Sequence, residues 1–307
     1  MYTHSSAAAS ASGGALAGAG GPTFASRGVG ELAVVESIPD TIVSLFSVLT
    51  HLGDPWVCLF GVSFAYVVGE RIGIDRSAAA FVLGLGLGAV GLTVGLKELF
   101  ALPRPPGAAE PGYGFPSGHT LGATVFWGGT ALVANVGRRR LRLGVAAAAV
   151  VAVAASRVII GVHYLADVIA GVTVGVAFLA IVFAGGPGLR RPATPSDRTI
   201  IMCYLAGGVI SAAAAFTNPI EIEVLLGVGT AVGGAAIWSV LGRAALDANG
   251  DLSTRSVVVG AVAFPLPLVV MAAVAELSMG SLAFVAAGAF GGVTLLSLPV
   301  AVSSLFE

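Results

Sequence analysis

Charged side chains are scarce in this sequence of 307 residues, since Asp, Glu, Lys and Arg together make up only 10% of it. Soluble domains carry roughly 25% charged residues. Hydrophobic residues account for 56%, and a chain so poor in charge cannot cover a surface that faces water. The composition therefore excludes an ordinary soluble protein and indicates a chain embedded in a membrane.

Lysine and cysteine are nearly absent as well. Lys97 is the single lysine among fifteen basic residues, and Cys58 and Cys203 are the two cysteines. Both cysteines lie inside apolar runs and are too few for a disulfide framework, so we interpret them as small buried hydrophobes. The net charge of -1 gives no indication of a nucleic-acid partner, and none is expected.

The first 30 residues are rich in Ala, Gly and Ser and contain one Arg, Arg27, and no Lys. A secretory signal would show a charged stretch followed by an apolar one, and neither is present. We therefore predict a disordered tail over residues 1–30.

Ten apolar runs follow the tail, and a helix that crosses a membrane needs about 20 such residues. The first run, 32–50, is interrupted by Glu36, Pro39 and Asp40, so it either spans or lies partly in the interface. The other runs lie near 53–69, 78–101, 117–136, 142–162, 165–184, 199–217, 223–242, 256–275 and 281–303.

A linker rich in Pro and Arg, residues 186–198, divides these runs into two blocks. The predicted fold class is all-α, a polytopic membrane helix bundle with a six-helix core at 31–185. About four extra transmembrane helices follow at 199–307, and the sequence indicates no role for them. Pairs of small residues four apart, such as Gly171 and Gly175, suit close helix packing in lipid.

Basic residues orient the predicted helices, because loops that stay in the cytoplasm retain Lys and Arg. When the spans alternate, the arginine-rich loops near 71–76, 138–142, 186–198 and 243–255 all fall on one side, which is therefore cytoplasmic. Arg27 joins that side if the run at 32–50 spans. The opposite side holds only Lys97, Arg104 and Arg157, and these three exceptions need a separate explanation.

The three exceptions suit a phosphoryl ligand. Lys97, Arg104 and Arg157 would supply positive charge and forked donors to phosphate oxygens. Ser117 and Gly118 lie at the start of a predicted helix, where free N–H groups favour an anion. Taken singly, a lysine can snorkel to the interface and Ser117 can be an ordinary cap.

Two histidines and an aspartate lie near these cations on the same predicted face. His163 and Asp167 are four residues apart, so on a helix they share one face, and Asp167 can fix the tautomer that leaves the His163 Nε2 free as a nucleophile. His119 remains as a general acid. The loop 105–116, with Glu110 and Tyr113, either shapes access or merely connects two helices.

Three motifs carry a family resemblance. The chain reads KELFALPRP from Lys97 to Pro105, PSGH at 116–119, and SRVIIGVHYLAD from Ser156 to Asp167. This resembles the type 2 phosphatidic acid phosphatase (PAP2) superfamily, whose motifs are K-x6-R-P, PSGH and S-R-x5-H-x3-D. The resemblance covers about residues 32–184 and leaves out the four rear helices.

The resemblance implies a metal-independent acid phosphatase with no cofactor. The histidine matching His163 would attack phosphorus and form a phosphohistidine, and the one matching His119 would protonate the leaving group. The residues matching Lys97, Arg104 and Arg157 would stabilise the charge on the phosphoryl oxygens. We expect a multi-pass protein of the cell membrane whose active site faces outside.

Several alternatives stay open at this stage. Vanadium haloperoxidases share the family's pocket but are soluble, which disagrees with the apolar runs. A catalytically silent lipid transporter or scaffold could use the same fold. The expected partner is a lipid phosphate such as a polyprenyl diphosphate, phosphatidic acid or phosphatidylglycerol phosphate, although a phosphosugar would meet the same pocket chemistry. Self-association into a homo-oligomer is left open.

Overall fold

The computed structural model describes residues 27–35, 37–68, 74–189, 194–217, 222–247, 254–277 and 280–304. Helices account for most of this part of the chain, and it contains no strand. The predicted all-α fold class is therefore confirmed.

The helices are numbered along the chain. They are α1 Glu31–Val35, α2 Asp40–Leu49, α3 Pro55–Val68, α4 Arg76–Phe100, α5 Gly118–Val133, α6 Arg139–Ile159, α7 Leu165–Gly185, α8 Asp197–Thr217, α9 Ile222–Asp247, α10 Thr254–Ala263, α11 Pro265–Glu276 and α12 Ser281–Ser304, with a short 3₁₀ turn at Thr50–Gly53 between α2 and α3.

Within the described residues, six helices are long and apolar enough to cross a membrane, namely α4, α6, α7, α8, α9 and α12. The chain is thus a multi-pass membrane protein. The segment α2 with its 3₁₀ turn is bent by 50° against α3, and this pair would count as a seventh span. The two runs expected at 32–50 and 53–69 are thus one bent pair, because the 10 residues of α2 rise only about 15 Å, half of a bilayer core.

Two further runs differ from the expectation. The run at 256–275 is divided into α10 and α11, and Pro265 is the first residue of α11. A proline inside a helix removes one backbone hydrogen bond, and its ring clashes with the carbonyl four residues earlier, so the helix is kinked or broken there. Helix α5 has 16 residues, because it begins only at Gly118 and ends at Val133.

Helix α4 lies at the centre of the packing and contacts α3, α5, α8 and α9. Its Phe81 is fully buried, as are Ile200 and Tyr204 of α8, and all three belong to one apolar cluster with Trp238 of α9. The Tyr66 hydroxyl of α3 donates to the Leu296 carbonyl of α12 at 2.7 Å. The main core therefore contains residues from both predicted blocks.

Glycines set how closely α7 approaches α5. A Cβ built on Gly171 would lie 2.8 Å from the carbonyl oxygen of Ser117, and one on Gly175 would lie 2.8 Å from the Cβ of Thr124. Real Cβ atoms do not come so near, so only glycine permits this contact. The close packing expected at these two glycines is confirmed, and it brings the first turn of α7 beside the first turn of α5.

The opposite end of α5 is held by an arginine. The Arg142 guanidinium donates to the carbonyl oxygens of Ala131, Val136 and Gly137, each at 3.1 Å. The contact with Ala131 satisfies a carbonyl in the last turn of α5, and the other two hold the connection between α5 and α6. Arg142 therefore has a local structural role in addition to its place among the basic residues of this loop.

Candidate active site

The ends of α4 and α6 and the starts of α5 and α7 meet at one end of the bundle. Two connections complete this end, the loop 101–117 between α4 and α5 and the turn 160–164 between α6 and α7. The loop is pinned by the Gly114 N–H, which donates to the Leu102 carbonyl at 2.8 Å. The three sequence motifs therefore converge.

His163 and Asp167 form a buried pair across the start of α7. The His163 Nδ1 lies 3.3 Å from the Asp167 Oδ2, and the side chains are 1% and 0% exposed. His163 lies just before the helix rather than on it, and Asp167 lies in its first turn. The same carboxylate oxygen accepts the Tyr164 N–H at 3.0 Å, so Asp167 also caps the helix.

The second nitrogen of His163 faces an arginine. The Arg104 Nη1 lies 3.1 Å from the His163 Nε2 and 3.2 Å from the Val162 carbonyl oxygen. Because a guanidinium only donates, the Nε2 must accept this bond and the Nδ1 must carry the hydrogen that faces Asp167. This is the tautomer in which Nε2 carries the lone pair that a nucleophile needs, although Arg104 must first turn its hydrogen bond to another acceptor.

Burial lowers the pKa of His163 to about 4, and the positive charges of Arg104 and Arg157 act in the same direction against the raising effect of the Asp167 hydrogen bond. The ordinary value for histidine is near 6.5. The imidazole is therefore neutral at neutral pH, as a nucleophile requires.

Arg157 is buried at the end of α6 and is only 2% exposed. Its Nη1 donates to the Thr50 Oγ1 at 2.9 Å, in the turn between α2 and α3, and its Nη2 contacts the Glu110 carboxylate. Its Nε is buried and has no hydrogen-bond partner among the described residues. A buried, unsatisfied donor on a cation is a feature of sites that receive an anion.

Glu110 bridges the two arginines. Its Oε2 lies 3.0 Å from the Arg104 Nη1, and its Oε1 pairs with the Arg157 Nη2. Partial burial acts to raise the pKa of Glu110, but the hydrogen bond from Arg157 and the charges of both arginines outweigh it and hold the pKa below its ordinary value. The carboxylate thus holds the two guanidinium groups that were assigned to phosphate from the sequence.

The start of α5 differs in one respect from the expectation. The Ser117 N–H is not free, since it donates to the Asp167 carbonyl at 3.0 Å, and the Ser117 Oγ lies 3.0 Å from the Thr120 Oγ1. Gly118 and His119 are the first two residues of the helix, where the backbone N–H groups have no hydrogen-bond partner within the helix. The donors for an anion are therefore displaced by one residue from those expected.

Lys97 lies against this turn. A Cβ built on Gly118 would lie 3.9 Å from the Lys97 Nζ and 2.7 Å from the Thr93 Cγ2. The second motif therefore needs glycine here, because α4 with its lysine packs directly on it. The arrangement places the ammonium group of the first motif beside the start of α5.

His119 is half-buried, and the charges of Arg157, Glu110 and His163 act on its ring. Its carbonyl oxygen lies under the turn that precedes α3, where a Cβ on Gly53 would come within 3.0 Å. All eight residues singled out from the sequence thus lie at the same end of the bundle.

Arg27 is a residue of this site that the sequence reading missed. The predicted tail 1–30 lies mostly outside the described residues, but Arg27 is described, and its Nε forms an ion pair with the Asp167 Oδ1. Arg27 therefore lies with the site and not, as expected for a spanning 32–50 segment, with the arginines of the opposite side. The only signal in the sequence was that Arg27 is the one basic residue of an otherwise uncharged segment.

In the part of the chain that the structure describes, no group of three His, Cys, Asp or Glu side chains is placed to hold a metal ion. The charged groups that face His163 are instead the guanidinium groups of Arg104 and Arg157 and the carboxylate of Asp167. Metal-independent chemistry stays a prediction.

The chain is thus a multi-pass helical membrane protein that gathers arginines, histidines and a buried carboxylate at one end, as a candidate site for an anion. Residues 78–191, less than half of the chain, match the family model of the PAP2 superfamily, and this similarity supports membership of that superfamily. The superfamily consists in general of phosphoesterases, which supports a phosphatase type of reaction. Neither a curated protein nor a solved structure gives a significant match to the chain.

The matched segment contains all three motifs. It ends before α8, so helices α8 to α12 lie outside it, and so do Arg27 and the turn at Thr50 that contacts Arg157.

Proposed function

We propose that this chain is an integral membrane phosphatase that hydrolyses phosphate monoesters or diphosphates of lipids through a phosphohistidine on His163. The observation that carries the proposal is the two-sided contact of His163. Its Nδ1 faces Asp167 and its Nε2 faces Arg104, in a buried position at the end of a membrane bundle.

The reaction follows from these positions. The His163 Nε2 forms a bond to phosphorus, the bond from phosphorus to the leaving oxygen breaks, and His119 gives that oxygen a proton. Water then attacks phosphorus and gives a proton to His119, the bond between phosphorus and the His163 Nε2 breaks with its electron pair returning to the imidazole, and inorganic phosphate leaves. Lys97, Arg104 and Arg157 balance the charge on the phosphoryl oxygens in both steps.

A lipid substrate is supported by the apolar surface beside the site. Leu99 and Phe100, in the last turn of α4 close to Lys97, are 72% and 47% exposed. Across the site, α2 exposes Ile42, Leu45 and Val48. In a membrane such side chains contact acyl chains, so a lipid headgroup could reach the arginines while its tail stays among the helices.

Binding of a phosphoryl group requires that Glu110 give up its two arginines. A phosphate group carries more charge than a carboxylate and offers three oxygens to the same donors. The exchange replaces one charge-assisted pair by another, so it does not leave either guanidinium buried and unpaired.

The decisive test is phosphate release from lipid monophosphates and diphosphates by the purified full chain in detergent. Release by the wild type but not by His163→Ala is expected. Phosphate release by the wild type should persist in excess chelator. Vanadate should inhibit this release, because it adopts the five-coordinate shape of the transition state. Wild-type protein that released no phosphate from any of these lipids would instead fit the silent transporter or scaffold.

The assignment of His119 has its own test. If His119 protonates the leaving oxygen, His119→Ala should slow hydrolysis of an alkyl phosphate by about 10²- to 10⁴-fold. The loss should be much smaller for a nitrophenyl phosphate, whose leaving group needs no proton. Equal losses on both substrates would contradict the assignment.

We further propose that the site faces outside the cell, since three of the four cations at this end belong to the motifs. The described arginines Arg76, Arg139 and Arg198 lie instead at or near the starts of α4, α6 and α8, at the other end. In a variant without Cys58 and Cys203, a cysteine in place of the exposed Ala109 should react with a membrane-impermeant thiol reagent in intact cells. A cysteine in place of the exposed Arg140 should react only after the cells are opened. The reverse pattern would place the chemistry in the cytoplasm.

A further inference from the structure

Arg27 precedes the first helix, yet its side chain is buried in the site. Its relative exposure is 7%, and that of its partner Asp167 is 0%. The partners are 140 residues apart in the sequence. Fixing so long a side chain costs conformational entropy, so the contact must return a comparable free energy.

The guanidinium of Arg27 contacts segments from all three motifs. Its Nη2 donates to the Pro103 carbonyl at 2.9 Å, directly before Arg104. Its Cζ lies 5.6 Å from the ring centre of Phe115, which precedes the second motif, and 5.0 Å from that of Tyr164, which follows His163. Both distances are within the range of cation–π attraction.

The two oxygens of Asp167 are thereby divided between two tasks. Oδ2 faces the His163 Nδ1 and the Tyr164 N–H, whereas Oδ1 faces Arg27. Without Arg27, a fully buried carboxylate would lose its paired cation, which is unfavourable. The carboxylate would then turn or take up a proton, and either change would release the His163 Nδ1.

Glu31 fastens the same segment to α7. Its Oε1 accepts the Leu165 N–H at 3.0 Å, and its Oε2 accepts the Val29 N–H at 2.5 Å. The negative charge also lies at a helix N-terminus, where it is favoured. Residues 27–31 therefore form an N-terminal clasp on the first turn of α7, with Arg27 directed into the site.

We infer that Arg27 is a positioning residue for the Asp167–His163 pair, an inference that rests on the proposed phosphatase function. Arg27 acts through Asp167: it fixes the carboxylate so that the His163 Nδ1 keeps its hydrogen and the Nε2 stays turned towards Arg104. The Arg27 Nη1 is buried with no hydrogen-bond partner in the described part of the chain.

The test uses Arg27→Ala and Arg27→Lys in the full chain, with Arg140→Gln at an exposed position as the control. Arg27→Ala should lower kcat by about 10- to 100-fold, a loss typical of removing a group that orients a catalytic side chain. KM and vanadate affinity should change little, because the cations that face the phosphoryl group remain. Arg27→Lys should recover part of kcat, and added guanidinium ion should rescue Arg27→Ala but not His163→Ala.

Two outcomes would overturn the inference. One is a kcat of Arg27→Ala near the wild-type value. The other is a loss that falls mainly on KM and vanadate affinity, because Arg27 would then bind the phosphoryl group itself.

A second measurement does not depend on turnover. Diethyl pyrocarbonate modifies accessible, neutral imidazoles, and peptide mass spectrometry reports each histidine separately. Arg27→Ala should speed modification of the buried His163 and leave that of His51, 63% exposed, unchanged as an internal reference. Unchanged reactivity of His163 would overturn the inference even if the wild type released no phosphate, a result that would count against the proposed function alone.

Discussion

The front part of the molecule, α1 to α7, and the rear part, α8 to α12, bury different kinds of groups. In the front part Ser117, Ser156, Arg157, His163 and Asp167 are at most 2% exposed. Among the rear residues whose burial is described, Ser211 is the one buried polar side chain. Polar and ionisable groups inside a membrane protein are costly, so their concentration in the front part supports the proposal that the chemistry takes place there.

The rear part is held together by close approach of its backbones instead. A Cβ built on Gly229 of α9 would lie 2.0 Å from the Val285 carbonyl oxygen, and one on Gly288 of α12 would lie 2.2 Å from the Leu226 carbonyl oxygen. Gly233 and Gly292 repeat the pattern one turn later on each helix. Lipid tails are as apolar as the side chains, so the hydrophobic effect does not hold helices together inside a membrane. The van der Waals contacts at these glycines stabilise the pair of helices instead.

The largest expected effect would sharpen this contrast. His163→Ala should lower phosphate release by about 10⁴-fold or more, as removal of a nucleophile does in other hydrolases. Ser211→Ala removes a rear hydroxyl that is buried to the same degree and should leave kcat unchanged. Both variants should elute from gel filtration as the wild type does. Comparable losses of activity in both variants would show that removing any buried polar side chain impairs the protein, and the contrast between the two parts would then say nothing about where the chemistry takes place.

The pH dependence of kcat/KM offers a second test of the front part. With the pKa of His163 held at about 4 by burial and by its arginine neighbours, the nucleophile loses its lone pair only as the pH falls through that value. At pH 5 about nine-tenths of the molecules should therefore keep a neutral imidazole, against a few per cent for an ordinary histidine. An acid limb centred near pH 6.5 would contradict this assignment.

The rear part should respond to a change in volume that the front surface tolerates. Gly288→Ala places a methyl group against the Leu226 carbonyl and should destabilise the fold by about 1–3 kcal/mol, as overpacking commonly does. Gly144→Ala, on α6 with no atom near its Cβ position, should be neutral or slightly stabilising. Thermal unfolding in detergent measures both. Activity per folded molecule should stay constant, and a selective loss of kcat in Gly288→Ala would give the rear part a catalytic role.

The smallest expected effect concerns Glu110. Glu110→Gln removes the charge that competes for Arg104 and Arg157, so KM and the inhibition constant of vanadate should fall several-fold while kcat changes little. Glu223→Gln, in the first turn of α9, is the rear control and should alter neither constant. Weaker vanadate binding in Glu110→Gln would mean that Glu110 orients the two guanidinium groups for the anion rather than competing with the anion for them.

The sequence predicted the helices well where an apolar run is uninterrupted. Helices α4 and α7 begin and end within two residues of the runs at 78–101 and 165–184. The prediction of one helix at 256–275 was wrong, because counting apolar residues takes no account of how proline restricts the backbone. Pro265 lies inside this run, which is divided into α10 and α11. The run at 32–50 was left open between a span and an interfacial segment, and in the structure its longest helix is the 10-residue α2.

The site shows a similar limit. Spacing within a segment links His163 to Asp167, and alternation of the helices brings Lys97 and Arg104 to the same end. Neither kind of argument reaches Arg27, because its contact with Asp167 depends on how the chain before α1 folds back over α7. Glu110 was noted in a connecting loop, but its two ion pairs depend on the path of that loop.

The bridge made by Glu110 matters for the discovery of inhibitors. A carboxylate tethered in the same loop as Arg104 acts as a competitor whose effective concentration is in the millimolar range or above, and no dialysis removes it. Small anionic fragments screened against the wild-type chain must compete with this carboxylate, so their apparent affinity would be weaker than their intrinsic affinity for the arginines. Glu110→Gln is therefore the better protein for a first screen. Compounds that bind the wild type with nearly the same affinity are those able to displace the Glu110 carboxylate from the two arginines.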